Sequence, residues 1–172
     1  AFYMNKMVVG RSARAALHPS LLSAPVSQTL STLAVALNKR VHDITVFILD
    51  KPRHQKLICE IREAGARVLL RTDGDVAGAL MALTPNSGVD VLIGIGGTPE
   101  GVIAACAVRA LGGAMLGQLA PQKDSEREAV IASGLDLETV LTESDLVQSD
   151  DVFFAATGIT DVDSSDFNTG TL

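Results

Sequence analysis

Short runs of branched and apolar residues recur along this chain, each closed by a Gly-, Pro- or charge-rich turn and followed by a stretch of helical periodicity. That alternation constrains the chain to helices packed on a sheet whose strands are covered on both faces. Ile44 to Leu49 is the first such run and stops at Asp50-Lys51-Pro52-Arg53-His54. A helix from about Gln55 to Ala64 follows, with Leu57, Ile58 and Ile61 inward and Gly65 suited to a left-handed C-cap. Arg67 to Leu70 is the next strand, ended by Arg71-Thr72-Asp73-Gly74-Asp75 and followed by a helix over Val76 to Leu83. Val89 to Ile95 then runs into Gly96-Gly97-Thr98-Pro99-Glu100-Gly101, and a helix continues to about Leu111 before Gly112-Gly113 breaks it.

The remaining elements fit the same pattern. Ser27 to Leu37 has a helical stripe at Leu30, Leu33, Ala34 and Leu37, after a loop over Arg11 to Pro25. Ala114 to Leu119 is a short apolar run, Asp124 to Ala132 a charged helix, and Val152 to Ala156 a strong strand. The expectation is an α/β fold, a mostly parallel sheet with helices on both faces and right-handed crossovers. The chain divides into a leading segment and loop over 1–26, one α/β domain over 27–160, and an irregular or truncated tail over 161–172. It opens Ala-Phe-Tyr-Met without an initiating Met and closes in a polar, unpatterned segment, so both edges read as cut from a longer protein.

Composition removes several function classes. A net charge of −6 argues against a general nucleic-acid binder, which needs Lys and Arg along the phosphate backbone. No apolar run is long enough to span a bilayer, and no secretory signal pattern is present, so the expectation is a cytoplasmic protein without membrane partners. Cys59 and Cys106 lie in predicted helices without CxxC spacing, and each is expected as a small buried residue in a reducing setting.

The strand-end motifs carry the functional content, because ligands of open α/β sheets bind beyond the carboxyl ends of the strands. Lys51-Pro52-Arg53 combines a fixed turn, a compact cation and a planar guanidinium fork, a combination suited to phosphate. A solvated turn with no specific task is equally compatible. His54 lacks a second His or Cys at ligand spacing, which argues against a metal site there. Asp73-Gly74-Asp75 can accept hydrogen bonds from sugar hydroxyls or bind a hard cation, while Asp75 can equally be an N-cap. Gly96-Gly97 lets backbone approach an anion, and Glu100 places a carboxylate in the first turn of a helix, as a helix stabiliser or as a metal ligand. Neither GxGxxG nor a Gly-Lys-Ser/Thr loop is present, and no GxSxG elbow or triad-like His arrangement accompanies the serines.

Taken together, Tyr3-Met4 with Lys6, Lys51-Pro52-Arg53-His54, Asp73-Gly74-Asp75-Val76-Ala77, Asp90 to Gly101, Arg109-Ala110-Leu111 and Ala156-Thr157-Gly158-Ile159-Thr160 resemble class II fructose-1,6-bisphosphatases of bacteria and cyanobacteria. The resemblance covers about residues 2–161 and implies the carboxyl-terminal part of a sugar-phosphatase fold. It implies Mn²⁺- or Mg²⁺-dependent release of the 1-phosphate of fructose 1,6-bisphosphate, in gluconeogenesis or the Calvin cycle, by a homo-oligomer. Carried over by motif, Tyr3, Lys51, Pro52, Arg53, Asp73, Gly74, Asp75 and Gly97 are substrate-binding and Glu100 is a metal ligand. No catalytic residue is assigned within the chain, since the family draws most of its metal carboxylates from its amino-terminal half. The chain alone is therefore expected to be inactive. A noncatalytic sugar-phosphate sensor domain and a purely structural α/β module are the competing expectations.

Overall fold

The computed structural model describes residues 2–157. Six strands form one sheet: β1 Tyr3–Val9, β2 Thr45–Leu49, β3 Arg67–Arg71, β4 Val91–Gly97, β5 Ala114–Leu119 and β6 Leu141–Thr142. Their spatial order is β3-β2-β4-β1-β5-β6. The helices are α1 Val26–Ala36, α2 Gln55–Glu63, α3 Asp75–Leu83, α4 Thr98–Leu111, α5 Asp124–Ala132 and α6 Glu143–Leu146. β2 runs parallel to β3 and β4, joined by helical crossovers, as the alternating pattern requires. β1 lies between β4 and β5, antiparallel to both, so β5 shares the direction of β2, β3 and β4. The sheet is thus mixed, with a mostly parallel framework and opposed strands at β1 and β6.

Alternation along the strands separates two cores. Met7 and Val9, Val46 and Ile48, and Val91 and Ile93 face α1 and α2, where Leu30, Leu33, Ile58 and Ile61 complete the layer. Met4 and Val8, Phe47 and Leu49, and Leu92 face α3 and α4. That second layer is built largely from Ala79, Ala82, Ala104, Ala105 and Ala107, small residues that bring the helices close to the sheet. Gly78 carries this furthest, because a Cβ there would overlap the Phe47 ring. Gly65 follows α2 at φ +90°, and Gly112 caps α4 at φ +77°, the left-handed conformation that ends a helix at little cost in glycine.

Three local expectations are corrected. Tyr3–Val9, read from sequence as part of a leading segment, is a central strand. Its Asn5 and Lys6 obscure the apolar pattern, and Lys6 is nonetheless buried. The run Val152 to Ala156 forms no strand, because residues 151–157 find no ladder partner among the described residues; Phe154 packs on the second core while Phe153 is exposed. Cys59 is exposed rather than buried, since Ile58 and Ile61 set the inner face of α2 and Cys59 is rotated away; Cys106 is half-buried. The Gly158-Ile159-Thr160 turn and the 161–172 tail lie outside the described residues.

Candidate functional site

β2 and β4 are paired only at Val46–Val91 and Phe47–Leu92 and part company beyond that point. The gap is filled by His54, which closes the Pro52–His54 turn after β2. Its Nδ1 donates to the Leu49 carbonyl at 2.8 Å, and its Nε2 accepts the Ile95 N–H at 2.8 Å. One donor and one acceptor on the ring define the neutral Nδ1–H tautomer. Burial holds the imidazole pKa below its usual value, and the adjacent Arg53 charge acts in the same direction. His54 thus spans the two strands where ladder hydrogen bonds have stopped, and both ring nitrogens are engaged. Beside it a narrow crevice is lined by Lys6, Phe47, Leu49, Asp75, Gly94 and Gly96.

The sequence motifs gather around that opening. Lys51 is extended and Pro52 starts the turn, which aims Arg53 across the end of β4. Arg53 Nε donates to the Ile95 carbonyl at 2.9 Å, and its guanidinium carbon lies 5.2 Å from the centroid of the Tyr3 ring. A cation over an aromatic face is held by the ring quadrupole, so the fork is oriented from two sides. Tyr3 reaches this end because β1 runs antiparallel and begins where β4 finishes, with Tyr3 opposite Gly97.

The two aspartates have different environments. Asp73 is 83% exposed and accepts a hydrogen bond from Lys51 Nζ at 3.0 Å. Gly74 is the N-cap of α3 at φ +94°, which places Asp75 in the first helical turn rather than at the cap. The Asp75 carboxylate turns inward to the Lys6 ammonium at 2.5 Å, and that ammonium also donates to the Gly97 carbonyl at 3.4 Å. Neither residue is more than slightly exposed. The capping alternative for Asp75 is therefore replaced by a buried ion pair.

At the start of α4, Pro99 occupies the first turn as expected, and Glu100 folds back over Gly97, whose missing Cβ leaves room for the carboxylate. Glu100 makes no side-chain hydrogen bond or ion pair with the described residues. Among those residues there is no group of three or more His, Cys, Asp or Glu that could hold a metal ion. Arg109 serves elsewhere: it donates to Ser144 at 2.9 Å and to Asp150 at 2.5 Å, tying α4 to α6 and the segment beyond it.

The structure therefore brings Tyr3, Lys51, Arg53, Asp73, Asp75, Gly97 and Glu100 to one end of the sheet, with Pro52 and Gly74 shaping the two turns. Lys6 and His54 are the residues whose place sequence reasoning missed. The detectable signal for Lys6 was a lone cation inside a Met- and Val-rich run.

Cations, carboxylates and a helix N-terminus thus converge at the strand ends of an α/β sheet, the edge where ligands of such sheets bind. The chain belongs to the bacterial fructose-1,6-bisphosphatase family, glpX-encoded, whose family model matches residues 1–165. It is 42% identical to the class 2 fructose-1,6-bisphosphatase of Haemophilus influenzae, over 94% of this chain and 51% of that protein. It is 40% identical to the class 2 fructose-1,6-bisphosphatase 1 of Escherichia coli K12, over 92% of this chain and 50% of that protein. The chain thus spans about half the length of these relatives.

Proposed function

We propose that this chain is the sugar-phosphate-binding part of a metal-dependent phosphatase that releases the 1-phosphate of fructose 1,6-bisphosphate. The observation that carries the reading is the posture of Arg53. Its Nε is spent on the Ile95 carbonyl and its plane is set against Tyr3, while its terminal amino groups make no hydrogen bond to the described residues. A guanidinium fixed in this way has lost its rotamer entropy before the ligand arrives, and its open edge matches two phosphate oxygens. Lys51 adds a second charge when its exposed contact to Asp73 opens, and pairs of that kind are worth only about 0–1 kcal/mol.

Asp73 and Asp75 address sugar hydroxyls as acceptors. Each is matched to a lysine, so neither brings an uncompensated negative charge to a phosphate ester. Glu100 offers one carboxylate oxygen donor at the edge of the site, and the described residues do not complete a metal centre around it. Glu100 would hold Mn²⁺ or Mg²⁺ only together with further ligands from the half of the relatives' length that this chain does not match, and the ion would then supply charge stabilisation for phosphoryl transfer. The chain's own residues bind and orient the sugar phosphate, and the isolated chain does not turn over.

On the same reading the parent protein is a cytoplasmic homo-oligomer of carbohydrate metabolism, in keeping with two cysteines that are free thiols. No helix among the described residues is long and apolar enough to cross a membrane. Calorimetric titration of the chain with fructose 1,6-bisphosphate tests the proposal. Arg53→Ala should weaken binding by about tenfold or more, the worth of a charge-assisted hydrogen bond, and unchanged affinity would sink the phosphate clamp. Phosphate release by the isolated chain with Mn²⁺ would overturn the division of labour between the two halves.

A further inference from the structure

Lys6 stands in the middle of the central strand, and two glycines, Gly96 and Gly101, leave room beside its side chain. Its partners across both ladders are glycines, Gly94 on β4 and Gly117 on β5. A Cβ on Gly96 would overlap the Asp75 carboxylate and lie 2.8 Å from the Lys6 ammonium. A Cβ on Gly101 would lie 3.5 Å from the Lys6 stem. The stem thus runs beneath the start of α4, and the ammonium emerges between the β3–α3 turn and the β4–α4 turn. There it meets the Asp75 carboxylate at 2.5 Å and the Gly97 carbonyl at 3.4 Å.

A buried ammonium is costly to desolvate, and replacing such a pair by apolar residues is often neutral for stability. Folding alone therefore gives little reason to place this pair at the opening of the crevice. Its geometry does something more specific: one cation fixes the Asp75 carboxylate, cancels its charge and ties it to the backbone of Gly97, beside Glu100.

We propose that Lys6 is a positioning residue for sugar recognition, holding Asp75 charge-neutralised and aimed so that it accepts hydrogen bonds from the hydroxyls of a phosphorylated sugar. The role rests on the sugar-phosphate reading given above. It adds that selectivity for a hydroxylated ligand over a plain bisphosphate depends on a residue that acts only through Asp75.

The test is a double-mutant cycle on the full 172-residue chain. Affinities for fructose 1,6-bisphosphate and for 1,6-hexanediol bisphosphate, which carries two phosphates and no other hydroxyls, are measured by calorimetry. Wild-type chain should prefer the sugar. Lys6→Met and Asp75→Asn should each lower that preference by about tenfold, and the Lys6→Met/Asp75→Asn double variant should lower it no further. Preference retained in Lys6→Met would overturn the proposal, as would effects that multiply in the double variant, since Lys6 would then act independently of Asp75. Should Lys6→Met fail to fold, the uncharged double variant against Asp75→Asn alone carries the same comparison: equal preferences support the coupling and a further loss refutes it. Wild-type chain that binds neither compound would overturn the sugar-phosphate reading itself. That outcome is distinct from a binding wild type with an indifferent Lys6.

Discussion

Replacing His54 offers a direct test of how the opening between β2 and β4 is maintained. The ring is 1% exposed and satisfies two backbone groups, the Leu49 carbonyl and the Ile95 N–H. In His54→Ala both groups lose their partner, at about 1–3 kcal/mol each, and the cavity left by the ring adds to this. A total loss of about 3–5 kcal/mol is expected, a large part of the roughly 5–15 kcal/mol that holds a domain folded. Urea denaturation followed by circular dichroism reads this as a lower midpoint at unchanged slope.

The same geometry fixes a pH dependence. His54 has a folded pKa below the ordinary value of 6.5, with burial as the leading cause, so the unfolded chain takes up the proton first. Its contribution to stability is whole above the unfolded value, declines as pH falls through 6.5, and is gone once pH is below the lowered folded value. Protonation also removes the lone pair that accepts the Ile95 N–H. His54→Gln, which keeps an acceptor and a donor without titrating, should flatten stability between about pH 7 and the lowered value. A wild-type midpoint that does not change across that window, or an equal slope in His54→Gln, would refute the bridging role.

Two further outcomes follow from packing and charge. Gly78→Ala should destabilise by about 1–3 kcal/mol despite the better helix former, because its Cβ overlaps the buried Phe47 ring; a neutral or raised melting temperature would mean that α3 moves away from the sheet freely. Lys51→Met should change stability by no more than about 1 kcal/mol, as its partner Asp73 is 83% exposed, yet weaken fructose 1,6-bisphosphate binding several-fold by calorimetry. Unchanged affinity would remove Lys51 from the clamp.

The fold was legible where its causes are local. β2, β3, β4 and β5 and the helices between them follow from apolar runs, turn residues and caps within a few positions of one another. β1 was not legible, since Asn5 and Lys6 interrupt its pattern and the partner that makes Lys6 tolerable, Asp75, lies 69 residues away. Missing β1 also hid the true extent of β4: Gly96 and Gly97 belong to that strand because Met4 and Tyr3 pair with them. The Val152 to Ala156 run shows the converse. Branched and aromatic residues suit a strand, but a strand needs a ladder, and none is offered to residues 151–157 among the described part of the chain.

The site was legible as a set of residue types at strand ends, not as a distribution of charge. The sequence offered Lys51 and Arg53 jointly to a phosphate or to a solvated turn, and the two aspartates to hydroxyls, to a hard cation or, for Asp75, to a helix cap. In the structure Lys51 is matched to Asp73 and Lys6 to Asp75, leaving Arg53 without an anionic partner and Glu100 without a cationic one among the described residues. On the function proposed above, the phosphate falls to Arg53, the divalent ion to Glu100 and the hydroxyls to the two neutralised carboxylates. Two glycines allow the arrangement: Gly96 leaves room for the Lys6–Asp75 pair, and Gly97 leaves room for Glu100. Their spacing was visible in the sequence as an anion-approach motif, but the atoms that use the space come from β1, α3 and α4 and meet only when the sheet has formed.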